Sequence, residues 1–272
     1  MKENYNDYSL ASELFMELAS ETRFSILASL SKKPSKLSSL SRELDVTVQD
    51  VHRNLNRLMQ EGLVKRFDGT FYATEYGRIV MKQIPDFMVM KKNKKYFEEH
   101  NISGVIPDKF LQRIGALEDC KPITSVTAVF QGLKKIQSSS TNSLRIIVSQ
   151  AWPEEGEILI DRASHGVKVS ALVGHNTIFP RNVVENILPK MNELIGKGVL
   201  ERRMVERVDV ALFIADDKAA AIAFANPKGE VDMNTMFIGE SPAFCEWCLD
   251  YFEYMWKDSR PFNVNKVKIV EY

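Results

Sequence analysis

From Leu10 to Leu30 the stretch LASELFMELASETRFSILASL carries apolar residues three and four apart, the period of helices packed along one side. SETR interrupts that pattern, and Ser20 or Thr22 supplies the side-chain oxygen of a helix N-cap, so two short helices are predicted. KPSKLSSLSRELDVT then offers Pro34 as a break, a helix near Leu37 to Leu44 and a tight turn at Asp45-Val46-Thr47. Helical period returns in TVQDVHRNLNRLMQEGLV, Thr47 to Val64, where Val48, Val51, Leu55, Leu58 and Gly62 share one side and are expected to pack on the domain. LVKRFDGTFYAT alternates about Asp68-Gly69, the dipeptide that best supplies the positive φ angles of a two-residue type I′ hairpin. TEYGRIVMKQIPDFMVMKKNKKYFEEH reads as a long helical segment interrupted at Pro85.

Beyond the Gly and Pro cluster of NISGVIPDKF the texture changes. LRIIVS, Leu144 to Ser149, reads as a buried strand, EEGEILIDRASHG as a helix closed by Gly166, VKVSALVG as a second strand and NVVENILPKMNELIGKG as a second helix. That alternation predicts a parallel sheet. RVDVALFIADDKAAAIAFANPKG predicts two strands turning at Asp216 to Lys218, then a turn from Asn226 to Gly229. The fold class expected is α+β and multidomain. Helix, turn, helix and hairpin give a winged helix-turn-helix over 1–80, a helical connector spans 81–100, and an α/β sensor-like domain for an effector or for dimerisation fills 101–272.

Composition narrows the function. The 272 residues are 44% hydrophobic and 26% charged, enough to bury an ordinary core. Thirty-six basic side chains balance 36 acidic ones, which excludes a protein that coats nucleic acid through net charge, so any DNA contact must be local. The opening MKENYNDYSL has no signal-peptide apolar core, and the longest wholly apolar run, AAAIAFA at Ala219 to Ala225, falls far short of the roughly 18 residues of a membrane span. A soluble, cytoplasmic protein with no membrane partner is expected. Three cysteines, Cys120, Cys245 and Cys248, are too few for a disulfide framework and fit a reducing compartment.

Opposite its apolar side, the helix after Thr47 presents Gln49, Arg53, Asn56 and Gln60, flanked by Asp50 and Arg57. Arg pairs bidentately with guanine, and Asn or Gln with adenine. An ordinary solvated face has the same composition, so context decides. A recognition helix needs a helix before it and presents its N-terminal half to the bases; Thr47, Gln49, Asp50 and Arg53 occupy that half. Lys65 and Arg66 of the hairpin and Arg42 near the turn stand where phosphates would run, and His52 falls on the flank. Residues 1–100 carry only 16 basic and 14 acidic side chains. A homodimer on two half-sites of double-stranded DNA is therefore expected.

LASETRFSILASL is similar to the opening of arsenic-repressor-type winged helices, and VHRNLNRLMQEGLVKR to their recognition helix and wing. FEEHNISGVIPDKFLQRIGAL and EWCLDYFEYMWKDSRPF resemble the archaeal methanogenesis-regulatory family of winged-helix transcription factors. The resemblance implies an archaeal, dimeric DNA-binding regulator whose C-terminal domain senses a signal or mediates assembly; a small-molecule effector or a protein partner is expected there. Arsenic-sensing members hold metal through cysteines at the recognition helices; no cysteine precedes Cys120 here, so neither metal nor cofactor is expected.

The second domain looks like half of a phospholipase D type sheet. Those enzymes use a His, a Lys two residues on and an Asp five further; Asp209, Ala211 and Asp216 stand at those positions. Without nucleophile and phosphate-binding cation, covalent phosphoryl transfer fails, and no catalytic residue is expected. His165 reads as a helix C-terminal cap. His175, placed after a strand end, joins Asn176 and Arg181 as an effector-site candidate. Cys245 and Cys248 lack the further ligands zinc needs and read as buried thiols. Phe244, Trp247, Tyr251 and Met255 form a core or interface stripe, and Lys91 to Lys95 a solvated face. The rival readings are a phosphodiesterase-like hydrolase carrying a DNA-targeting winged helix, and a winged helix used only for protein contacts.

Overall fold

The computed structural model describes residues 4–271. The chain divides after Ile84 into two units.

The first unit runs α1 (Asn4–Leu18), α2 (Glu21–Lys32), β1 (Ser35–Lys36), α3 (Leu37–Leu44), α4 (Val48–Gln60), β2 (Val64–Phe67), β3 (Thr70–Ala73) and α5 (Glu75–Lys82). Ser20, rather than Thr22, caps α2 by accepting from the Arg23 N–H. Asp45 ends α3 in the left-handed region at φ 53°, which makes the turn into α4 tight. Asp68 and Gly69 both take positive φ, 46° and 70°, as a type I′ hairpin demands. The hairpin joins the short β1 in an antiparallel sheet of order β1-β3-β2.

Ile26 and Leu27 of α2, Leu40 of α3, and Val51, Leu55 and Leu58 of α4 are wholly buried. Val48 was expected among them, but half of its surface is exposed, at 50%. It stands in the first turn of α4, outside the reach of that core. Asn54 is buried on this helix and satisfies its amide by donating to the Asp50 carbonyl at 2.8 Å.

The segment after Thr74 is three helices: α5, α6 (Ile84–Lys92) and α7 (Lys94–Glu99). The expected interruption falls at Gln83, between α5 and α6, and Pro85 lies in the first turn of α6, where a missing N–H costs nothing. Residues 85–100, read from the sequence as part of a connector, belong to the second unit. Val89 is buried there, with Tyr96 and Phe97 packed on the same cluster.

The second unit continues with α8 (Asp108–Leu111), β4 (Lys121–Thr124), α9 (Val126–Ser139), β5 (Ser143–Gln150), α10 (Pro153–Ser164) and β6 (Lys168–Pro180). A π-helical turn (Val183–Ile187), α11 (Leu188–Gly196), β7 (Leu200–Val205), β8 (Val210–Ala215), β9 (Ala219–Phe224) and β10 (Thr235–Gly239) follow. α12 (Pro242–Lys257), β11 (Arg260–Pro261) and β12 (Lys268–Val270) complete it. The sheet order is β11-β7-β6-β5-β8-β9-β10-β4, with β12 added beside β6.

The expected parallel sheet is only partly parallel. β5, β6 and β7, joined through α10 and α11, run parallel, whereas β8, β9, β10 and β4 are antiparallel. Connection length is the reason: a parallel pair needs a crossover, and only a turn at Asp216-Asp217, φ 52° and 56°, joins β8 to β9. Both faces are covered. α9, α10 and α11 pack on one through Val129, Leu133, Leu159 and Met191, and α12 on the other through Phe244, Trp247, Cys248 and Tyr251. The apolar run at 219–225 is thus a strand buried on both sides. Among the described residues no helix is long and apolar enough to cross a membrane.

Gly77 of α5 is packed so tightly that a Cβ there would run into the carbonyl oxygen of Leu63, a backbone atom with no freedom to swing away. Gly77→Ala is therefore expected to destabilise the first unit by about 1–3 kcal/mol, despite the better helix propensity of alanine. Thermal unfolding of the full chain checks this; a Tm equal to or above that of the wild type would refute the packing argument.

Candidate functional site

The first turn of α4 is fixed by its own side chains. Thr47 Oγ1 accepts from the Asp50 N–H at 3.1 Å while its hydroxyl donates to the Asp50 carboxylate at 2.7 Å, a reciprocal cap that satisfies an orphan donor of the helix end. The other Asp50 oxygen accepts from Arg53 Nη2 at 2.9 Å. Thr47 and Asp50 thus hold the turn and steer Arg53, whose side chain is 75% exposed.

Arg57 was expected beside the reading face, but its guanidinium pairs with Glu17 of α1. Glu17 is buried, and Arg23 Nε lies 3.1 Å from its carboxylate while donating to its main-chain oxygen at 2.8 Å. This carboxylate ties α1, α2 and α4 together and makes Arg57 a positioning residue. Gln49, His52, Arg53 and Gln60 are exposed and Asn56 is half-buried, all within one arc of the helix opposite the core.

Lys65 and Arg66 are exposed on β2, with Arg66 5.5 Å above the Phe71 ring, and Arg42 is exposed at the end of α3. Two apolar side chains stand among these polar ones: Val48, which the sequence assigns to the core, and Phe67, which it does not single out. Val48 opens α4 beside Gln49, and Phe67 is 73% exposed next to the hairpin turn. Their signal is position: one precedes the helix's first core contact, and the other ends a strand at its turn.

The three effector-site candidates of the second unit lie along β6 and just beyond its end. β6 continues through His175 to Pro180, so His175 follows no strand end. Asn176 spends its amide on the backbone of Val208, donating to its carbonyl and accepting from its N–H, both at 2.8 Å. Arg181 pairs with Glu271 at 2.5 Å and Glu185 at 3.8 Å. His165 caps α10, its Nδ1 2.8 Å from the Asp161 carbonyl. Cys120, Cys245 and Cys248 are buried free thiols, and burial raises the Cys120 and Cys245 thiols above their ordinary range.

Asp209 and Asp216 sit at opposite ends of β8, about 20 Å apart along an extended chain. Arg207 holds Asp209 at 2.6 Å. Asp216 accepts from the N–H groups of Thr141, Asn142 and Ser143 and from the Thr141 hydroxyl, all at 2.7–2.8 Å. Both its oxygens are engaged, and the group latches the 141–143 loop to the β8–β9 turn. Burial alone would raise this carboxyl; the four donors outweigh it and hold the group below its ordinary 3.8.

A cavity of about 50 Å³ lies between α10, the π-helical turn and β5, β6 and β7, lined by Ile146, Val148, Leu159, Ala171, Val173 and Met191. Glu155, Trp152 and Arg202 face it as well. Glu155 is 8% exposed, and its Oε1 has no hydrogen-bond partner. Burial, with a smaller push from Glu154, raises its carboxyl to about 8, so Glu155 is neutral at pH 7.

Residues 13–94 match the family model described as the HVO_A0261 N-terminal domain, and residues 128–258 match the middle domain of the methanogenesis regulatory protein FilR1. No curated protein sequence matches the chain. Among solved structures, the chain is similar to TrmBL2, an archaeal chromatin protein, with 13% identity, 89% of this chain and 94% of that one covered, and a TM-score of 0.43. It is also similar to Nuc, a phospholipase D family member from Salmonella typhimurium, with 18% identity, 53% and 97% covered and a TM-score of 0.37. NucT from Helicobacter pylori gives 14%, 53% and 98%, and 0.41.

Two carboxylates should act on stability in opposite senses. Asp216 has a depressed folded pKa, so its contribution is present above the ordinary 3.8 and disappears as pH falls through the folded value. Asp216→Ala is expected to lose about 2 kcal/mol at pH 7, a deficit that closes in acid. Glu155 has a raised folded pKa, so the wild type loses stability as pH climbs from 4.5 towards 8, by about 3 kcal/mol at pH 7. Glu155→Gln should then be the more stable protein at pH 7 and lose that advantage near pH 4.5. Denaturant titrations across pH measure both; parallel pH profiles for wild type and variant would contradict the assignment.

Proposed function

We propose that this chain is a sequence-specific DNA-binding transcription regulator, acting as a homodimer. Its first unit works as a winged helix-turn-helix, with α4 lying in the major groove. One observation carries the reading: burial of Val51, Leu55 and Leu58 turns Gln49, Arg53 and Asn56 outward together, behind a capped helix start and next to the basic edge of the hairpin. The match of residues 128–258 to a regulatory protein's middle domain supports it.

The roles follow from chemistry. Arg53, steered by Asp50, suits the O6 and N7 acceptors of guanine, and Gln49 and Asn56 suit adenine. Val48 adds an apolar contact for a thymine methyl group. Arg42, Lys65 and Arg66 take phosphates, fixing register without reading sequence. Thr47, Asp50 and Arg57 serve by holding α4 in place. The surface is close to neutral overall, so few phosphates are met per subunit and two subunits on two half-sites supply the affinity. A ligand or partner at the second unit that favours one spacing of the two reading heads changes DNA affinity, and DNA changes ligand affinity by the same factor.

DNA selected from random sequence by the full-length protein provides the test, read by fluorescence anisotropy. Arg53→Ala and Asn56→Ala should each weaken the selected site by about 10- to 100-fold and relax preference at one base pair. Lys65→Ala and Arg66→Ala should weaken all sequences alike and lower the salt slope by about 1 each. Arg57→Ala should lower Tm while leaving base preference intact. Unchanged specific binding by the Arg53→Ala, Asn56→Ala double variant would sink the assignment of the reading face.

A further inference from the structure

Beside the cavity at Glu155 lies a groove of about 610 Å³ lined by Val184, Asn192, Pro261, Phe262 and Val264; Leu188 and Arg202 border both spaces. Arg202 has an unusual environment. Its Nη2 donates to Asn192 Oδ1 at 3.0 Å, its Nη1 faces the Met191 sulfur at 3.8 Å, and its guanidinium carbon lies 3.9 Å from the Phe262 ring centroid. Its Nε is buried without an acceptor, and among the described residues no carboxylate lies within ion-pair distance of it. A part-buried guanidinium without a counter-ion lacks the anion that would stabilise it.

Three residues that line the cavity each carry a buried polar atom without a partner: Arg202 Nε, Trp152 Nε1 and Glu155 Oε1. Buried polar groups are nearly always hydrogen-bonded, so three orphans around one space point to a missing molecule. The wall here includes the π-helical turn Val183–Ile187, a distortion frequent at functional sites. Gly156 lets α10 approach Ile187 of that turn where a Cβ would collide.

We propose that this space is a binding site for a short-chain monocarboxylate. The carboxylate meets Arg202 at the junction of groove and cavity, and the alkyl chain enters between Val148, Ala171, Val173 and Leu159. A volume of about 50 Å³ exceeds the roughly 10–15 Å³ that one water needs but is well below the roughly 150 Å³ that holds benzene, so the chain it takes is a few carbons long. The Glu155 side chain, neutral at pH 7 through burial, does not repel the anion and presents a hydrogen-bonding group at the apolar wall. The site stands on the cavity alone; that its ligand is the effector of DNA binding rests on the regulator reading.

The test titrates the full-length protein with sodium acetate, butyrate and hexanoate at constant ionic strength, following tryptophan fluorescence and calorimetric heat. Saturable one-to-one binding is expected, tightening from acetate to butyrate and levelling or weakening at hexanoate. Butyramide, which keeps the shape and loses the charge, should bind at least about 10-fold more weakly, the scale of one lost charge-assisted contact. Arg202→Gln should lose butyrate to a similar extent and Arg202→Lys should recover part of it. Ala171→Leu, which fills the cavity and spares Arg202, should also lose butyrate. No saturable response of the wild type to any of the acids overturns the site, as does an equal response to butyramide or an unaltered affinity in Arg202→Gln. Repeating the titration with selected DNA separates the two readings: butyrate binding that leaves DNA affinity unmoved keeps the site and removes its effector role, whereas DNA binding without butyrate binding removes the site alone.

Discussion

Complete burial of Val51, Leu55 and Leu58 on α4 fixes the rotation of that helix about its axis, because any turn away from this setting brings at least one of three large apolar side chains into water at roughly 1.5–3 kcal/mol each. With the rotation fixed, every other position on α4 has its direction decided. Gln49, Arg53 and Asn56 face outward because they lie opposite the stripe. Arg57, one turn beyond Arg53, meets the buried carboxylate of Glu17 and closes the contact between α4 and the first two helices, α1 and α2.

Much of the first unit was legible because its signals are local. The period of α4, the cap at Thr47 and the Asp68-Gly69 turn each act within a few residues. What escaped depended on partners distant in sequence. Glu17 and Arg57 are 40 residues apart, and nothing in their spacing shows that they meet. Val48 follows the same period as the core residues, yet it stays exposed because the core ends before the first turn.

In the second unit the strands were legible and their directions were not. Apolar runs mark strands buried on both faces, but whether neighbours run parallel is set by which connections carry helices. The sequence places His175 and Asn176 after a strand; β6 instead continues past them, and the Asn176 side-chain amide is bonded to the backbone of Val208. The cavity was invisible from sequence because Glu155 and Arg202 each sit amid surface-like composition, on α10 and β7, and only the sheet brings both to one space.

Glu155 has a wider consequence. A carboxyl that is neutral when buried and ionised when exposed must collect a proton as the second unit closes over it. Near neutral pH, folding of this unit is therefore also an uptake of about one proton from solvent. Part of the heat it releases or absorbs belongs to the buffer that surrendered that proton, so the unit's folding enthalpy is a property of the chain and its medium together.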